Sequence, residues 1–101
     1  MGKVRLPPET VRLIKELAVK HFGPSVRVYL FGSRTDPNKR GGDIDLLFEL
    51  PSLPEDWFRR KIKFLVDLED HIGEQKVDLL VKSEGSDDPW YRIAKETGIE
   101  L

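Results

Sequence analysis

A chain of 101 residues with a formal net charge of −1 has room for one domain and one modest core. It has no whole-molecule field that would draw in nucleic acid generically. It contains no cysteine, which excludes disulfides and thiolate metal sites. Its opening stretch, MGKVRLPPET, lacks the apolar core of a signal peptide and no apolar run nears membrane-spanning length, so the cytoplasm is the expected compartment.

Residues 1–101 read as one domain with a short sequence of elements. A first helix opens after Pro7-Pro8, where proline suits a first turn. It carries Val11, Ile14, Leu17, Ala18, His21 and Phe22 at helical spacing until Gly23-Pro24 stops it. Residues 26–31, β-branched and aromatic, form a strand with Val26, Val28 and Leu30 on one face, ending abruptly at Gly32-Ser33. Residues 34–42 are turn-formers and charges, hence a loop. Residues 43–50 form a second strand. A second helix begins in Pro51-Ser52-Leu53-Pro54-Glu55, with Ser52 and Glu55 at capping-box spacing. Phe58, Ile62, Leu65, Leu68 and Ile72 are its expected buried stripe, and Gly73 its cap. Residues 76–82 form a third strand, and Asp88-Pro89 starts a last helix that Gly98 ends. The order fits an α/β (α+β) fold, a small mixed sheet of three to four strands with helices packed on one face. The first two strands are expected as antiparallel neighbours.

The chemistry concentrates in Asp43-Ile44-Asp45-Leu46. Residues two apart in a strand share a face, so both carboxylates project together while Ile44, Leu46 and Phe48 face the core. Adjacent carboxylates repel unless a proton or cation lies between them, and magnesium prefers such oxygen ligands together with substrate phosphates. Asp78, flanked by Val77 and Leu79, is a third acid. Beside the first two it would complete a two-metal site. These acids also read as surface aspartates on a half-exposed sheet, but aspartate is depleted in strands. Gly32 lets backbone amides approach an anion closely, and Ser33 adds a hydroxyl. Arg34, Lys39 and Arg40 lie in the following loop, where they either steer phosphate or remain solvated. Arg34, next to Ser33, is the strongest of the three for phosphate.

Phe31-Gly32-Ser33, then Asp43-Ile44-Asp45-Leu46, then Asp78 on a later strand resembles the signature of the DNA polymerase beta-type nucleotidyltransferase superfamily. The short chain is similar to the minimal nucleotidyltransferases that accompany HEPN-fold toxins. The resemblance implies a palm-like fold in which Gly32, Ser33 and Arg34 hold the nucleotide. Asp43, Asp45 and Asp78 would be the catalytic acids and the ligands of two Mg2+ ions. It further implies an antitoxin that transfers AMP from ATP to a hydroxyl of a HEPN-type helical partner. The alternatives are a non-catalytic nucleotide-binding protein that neutralises a toxin by occlusion, and a transferase acting on a small molecule.

His21 and His71, near helix ends, have no partner at metal-ligand spacing and read as structural. Trp57 and Phe58 read as core. The last helix, with Trp90, Tyr91, Ile93 and Ala94, either covers the sheet or offers a surface to a partner. A Walker-type loop is absent. Charged residues make up 35% of the chain, with only one Met, a balance expected of a heat-adapted protein.

Overall fold

Helix α1 (Pro8–Phe22) is followed by β1 (Arg27–Phe31), β2 (Ile44–Leu50), α2 (Trp57–Ile72), β3 (Val77–Ser83), α3 (Pro89–Thr97) and β4 (Ile99–Glu100). The structure, a computed structural model, describes residues 6–32 and 43–101. The strands form one sheet in the order β3-β2-β1-β4. β1 is antiparallel to both β2 and β4. β2 and β3 are parallel and α2 makes the crossover that a parallel pair requires. Among the described residues, no helix is long and apolar enough to cross a membrane.

Strand alternation divides the interior into two cores. Val28, Leu30, Ile44, Leu46, Phe48, Leu79 and Val81 meet Ile14, Leu17, Ala18 and Phe22 of α1 and Phe64 and Leu68 of α2. This is the expected layer of helices on one face. The last helix is added on the opposite face, where Tyr91 and Ala94 pack against Tyr29 and Leu47. The side chain of Asp88 caps α3 by accepting from the Trp90 N–H at 2.9 Å, and Pro89 follows in the first turn. Gly98 then ends the helix so close to β1 that a Cβ there would press on the Leu30 carbonyl. That close approach lets β4 join the sheet edge at once.

Helix α2 differs from its sequence expectation at its start and on its buried face. It begins at Trp57, with Asp56 as the capping residue. Pro54 disfavours helical geometry at the residue before it, so the Ser52–Glu55 pair stays outside the helix. The Asp56 carboxylate accepts instead from Arg60 Nε at 2.8 Å. Phe64 and Leu68 are the buried residues, with Trp57, Leu65 and Ile72 packed beside them. Phe58 is 58% exposed, and Ile62 is exposed as well. The helix is apolar over more than one stripe, and ring packing selects between them. Phe64 stacks edge-on with Phe48 at a centroid distance of 4.8 Å, and Phe48 does the same with Phe22 at 5.4 Å. Such contacts add to the area buried.

Asp67 of α2 joins the two helices. Its carboxylate accepts from Lys20 Nζ and from the His21 ring, both at 2.9 Å. These contacts hold the Asp67 carboxyl below its ordinary range. His71 Nδ1 lies 2.8 Å from the Asp67 carbonyl within α2, so His21 links the two helices while His71 bonds within one.

Candidate functional site

Asp45 lies where three chain segments meet. In β2 it is paired across the antiparallel ladder with Phe31 and across the parallel ladder with Asp78. Adjacent strands run only about 4.8 Å apart, so the Asp45 and Asp78 side chains stand side by side on the face that also carries α3. Immediately after Phe31, Gly32 adopts a φ of +77°, a conformation open to glycine at little cost. A Cβ at Gly32 would also collide with the Asp45 carboxylate. Backbone conformation and space therefore demand glycine independently. Of the residues singled out in the sequence, Ser33 and Arg34, with Lys39 and Arg40, lie outside the described residues.

The electrostatics follow from this crowding. Burial raises the Asp45 carboxyl above its ordinary pKa; the charge of Asp78, a hydrogen bond with it, and the charge of Asp43 push the same way. Lys76 opposes the shift. Asp43, just before β2, has its Oδ2 3.5 Å from Lys76 Nζ. Two of the three acids are thus adjacent and mutually repelling, and the third is paired with a lysine. Among the described residues, no group of three or more acidic or histidine side chains is drawn together at metal-binding spacing.

Asp45 and Asp78 open into a cleft of about 810 Å³, with Phe31 and Gly32 at one end. Ligand sites are commonly about 300–1,000 Å³. Trp90, Ile93 and Thr97 of α3 line one side, and Lys61 and Leu65 of α2 line another. None of these five figured in the sequence reading of the site. Lys61 had a signal, because it lies between Trp57 and Leu65 at helical spacing on an inward-facing stripe, where a cation is out of place. Trp90 and Ile93 were read as sheet cover or partner surface, and nothing local to α3 indicates that they border the carboxylates.

A family model described as a nucleotidyltransferase domain matches residues 11–100 of the chain. The chain belongs to this family. The match takes in every element from α1 to β4, including Gly32, Asp43, Asp45 and Asp78. No curated protein matches the nucleotidyltransferase domain in sequence. Among solved structures, it is similar to a Sulfolobus solfataricus protein provisionally described as a nucleotidyltransferase. The TM-score is 0.58 at 22% identity, over 91% of this chain and 76% of that one. At that identity the likeness is one of fold, and the fold is the expected α+β arrangement. Nucleotidyl transfer is the activity class that the family carries.

A second polar group of the nucleotidyltransferase domain lies further along the same face of β2. Glu49 is 1% exposed. Its Oε2 accepts a hydrogen bond from the Tyr91 hydroxyl and is 2.8 Å from Lys95 Nζ, while Oε1 has no hydrogen-bond partner among the described residues. Burial pushes the Glu49 carboxyl up, but the hydrogen bonds from Lys95 and Tyr91 outweigh it and hold the pKa below its ordinary value. A buried carboxylate is tolerated when paired in this way. The network ties α3, and with it the cleft wall, to the central strand.

Proposed function

We propose that the chain transfers a nucleoside monophosphate, AMP from ATP, to a hydroxyl on a partner protein, acting as the antitoxin of a HEPN-type toxin. The reading rests above all on the alignment of Asp45 with Asp78 beneath Gly32. Two abutting carboxylates, one with its pKa raised by burial and then by its neighbour, form an oxygen-only donor set that gains from a hard divalent cation. Asp43, Asp45 and Asp78 are the residues that would hold magnesium, with Asp43 exchanging its Lys76 contact for the ion. When bound, magnesium supplies charge neutralisation for the triphosphate and its transition state.

The chain's own groups divide the remaining work. Gly32, Ser33 and Arg34 hold the terminal phosphates at the end of β1, where the glycine permits close approach. The acceptor hydroxyl oxygen attacks the α-phosphorus in line. A new phosphorus–oxygen bond forms as the bond to pyrophosphate breaks, and the hydroxyl proton passes to the Asp78 carboxylate. Positioning and charge carry such a reaction, with no covalent enzyme intermediate required.

One observation favours the rival reading, occlusion of a partner without chemistry. Phe58, Ile62 and Val66 form an exposed apolar stripe on α2, which a protein surface could cover. Labelled ATP, magnesium and the product of the neighbouring gene separate the two readings. Transfer of label to the partner, abolished in Asp43→Ala and Asp45→Ala, is the result expected. Absence of label, with toxin neutralisation intact in both variants, would replace catalysis by occlusion. Label on a small molecule in place of the partner would move the acceptor out of the protein class.

A further inference from the structure

Within the cleft, α3 presents a second stripe beside its buried one. Tyr91 and Ala94 face the sheet, while Trp90, Ile93 and Thr97, spaced by three and four residues, line the cleft. Trp90 is 61% exposed, and Ile93 is exposed too. An indole left that open on a helix end is costly to leave wet and has no partner ring among the described residues. The Thr97 end of the stripe is fixed next to Gly32, because Gly98 packs on Leu30 and Ile99 pairs with it. Trp90 lies seven residues up the helix, about 10 Å away at 1.5 Å per residue. The cleft therefore has a polar end, with Gly32 and the carboxylates, and an aromatic end about 10 Å distant. A nucleoside triphosphate has the same polarity, with charge at one end and a flat apolar ring at the other.

We infer that the Trp90–Ile93 wall is the nucleobase subsite, in which the base lies against the Trp90 indole while the phosphates point toward Gly32. This rests on the nucleotidyl-transfer reading and adds a prediction about selectivity. The Thr97 hydroxyl already donates to the Ile93 carbonyl at 2.6 Å. Ile93 has no polar side-chain atom, so what this wall offers a base is chiefly apolar surface. Stacking is tolerant of base identity because every base has a π-face. The subsite accordingly accepts both purines with similar affinity and holds pyrimidines more weakly.

Affinities for ATP and inorganic tripolyphosphate are measured by titration calorimetry in the presence of magnesium, and fluorescence is followed in the chain with Trp57→Phe, where Trp90 is the only tryptophan. ATP is expected to quench the Trp90 fluorescence and tripolyphosphate to bind without doing so. Trp90→Ala should weaken ATP about ten-fold or more and leave tripolyphosphate unchanged, whereas Trp90→Phe should keep most of the ATP affinity. GTP should bind within a few-fold of ATP. Equal loss of ATP and tripolyphosphate in Trp90→Ala would mark Trp90 as structural and overturn the assignment. Unchanged ATP affinity in Trp90→Ala, or a hundred-fold preference for one purine, would overturn it as well while leaving the site's function standing. Failure of the wild-type chain to bind either ligand would instead remove the nucleotide reading itself. A melting curve for each variant checks the fold.

Discussion

Under α1 and α2, the sheet presents Ile44, Leu46, Phe48, Leu79 and Val81, all buried and all apolar. On the reverse of the same strands stand Asp45, Glu49 and Asp78, with a small apolar cluster of Tyr29, Leu47, Tyr91 and Ala94 between them. Each strand thus serves one layer that excludes water and another that keeps charge close to it. A sheet of four strands can do this because its side chains alternate strictly. The closed face supplies the stability that lets the open face hold repelling carboxylates. Stability and chemistry should therefore respond to different substitutions in the same strand.

Phe64→Ala should give the largest effect, about 3–5 kcal/mol of stability, because it removes the ring stacked on Phe48. Denaturant titration measures it, and activity per folded molecule should be unchanged. A loss of specific activity at full folding would break the division between faces. Gly32→Ala comes next. A left-handed non-glycine residue costs about 1–3 kcal/mol, and the added methyl group displaces the Asp45 carboxylate, so nucleotidyl transfer should fall far more than stability does. Retention of full activity would show that Asp45 can shift without consequence.

Tyr91→Phe removes one of the two donors on the buried Glu49 and should cost about 1–3 kcal/mol, read from the denaturant midpoint. The same network carries a pH dependence. The folded Glu49 pKa lies below its ordinary value of 4.5, so its contribution is fully present above that value and is lost as the pH falls through the folded value. The stability gap between wild type and Glu49→Gln should stay constant near neutrality and close in acid. A gap that widens in acid would reverse the assigned direction. The smallest stability effect belongs to Lys61→Ala, within about 0.5 kcal/mol. That substitution sharpens the comparison if tripolyphosphate binding weakens several-fold while the melting curve stays in place.

Much of the architecture is legible in the sequence because prolines and glycines punctuate it. Gly23-Pro24, Gly73 and Asp88-Pro89 fall at element ends, and the antiparallel pairing of the first two strands is as expected. Gly32, Asp45 and Asp78 are brought together. What local pattern could not convey is choice among faces. Helix α2 has apolar residues on two stripes, and only the Phe22–Phe48–Phe64 stack selects Phe64 over Phe58 and Ile62. Likewise, α3 crosses the sheet because Tyr91 reaches Glu49, a partner 42 positions away in sequence. The place of Trp90 and Ile93 beside the carboxylates is hidden for the same reason, since α3 borders the cleft only after it has been docked.

The parallel register of β2 and β3 pairs Asp45 with Asp78, and in doing so pairs Leu46 with Leu79 and Phe48 with Val81. Sliding β3 by one residue would turn Asp78 into the oily layer and lift Leu79 and Val81 out of it. Misassembly is thereby rejected by the same contacts that make the domain cohere. A register that mismatches the two acids also breaks the core, so folding itself aligns Asp45 with Asp78.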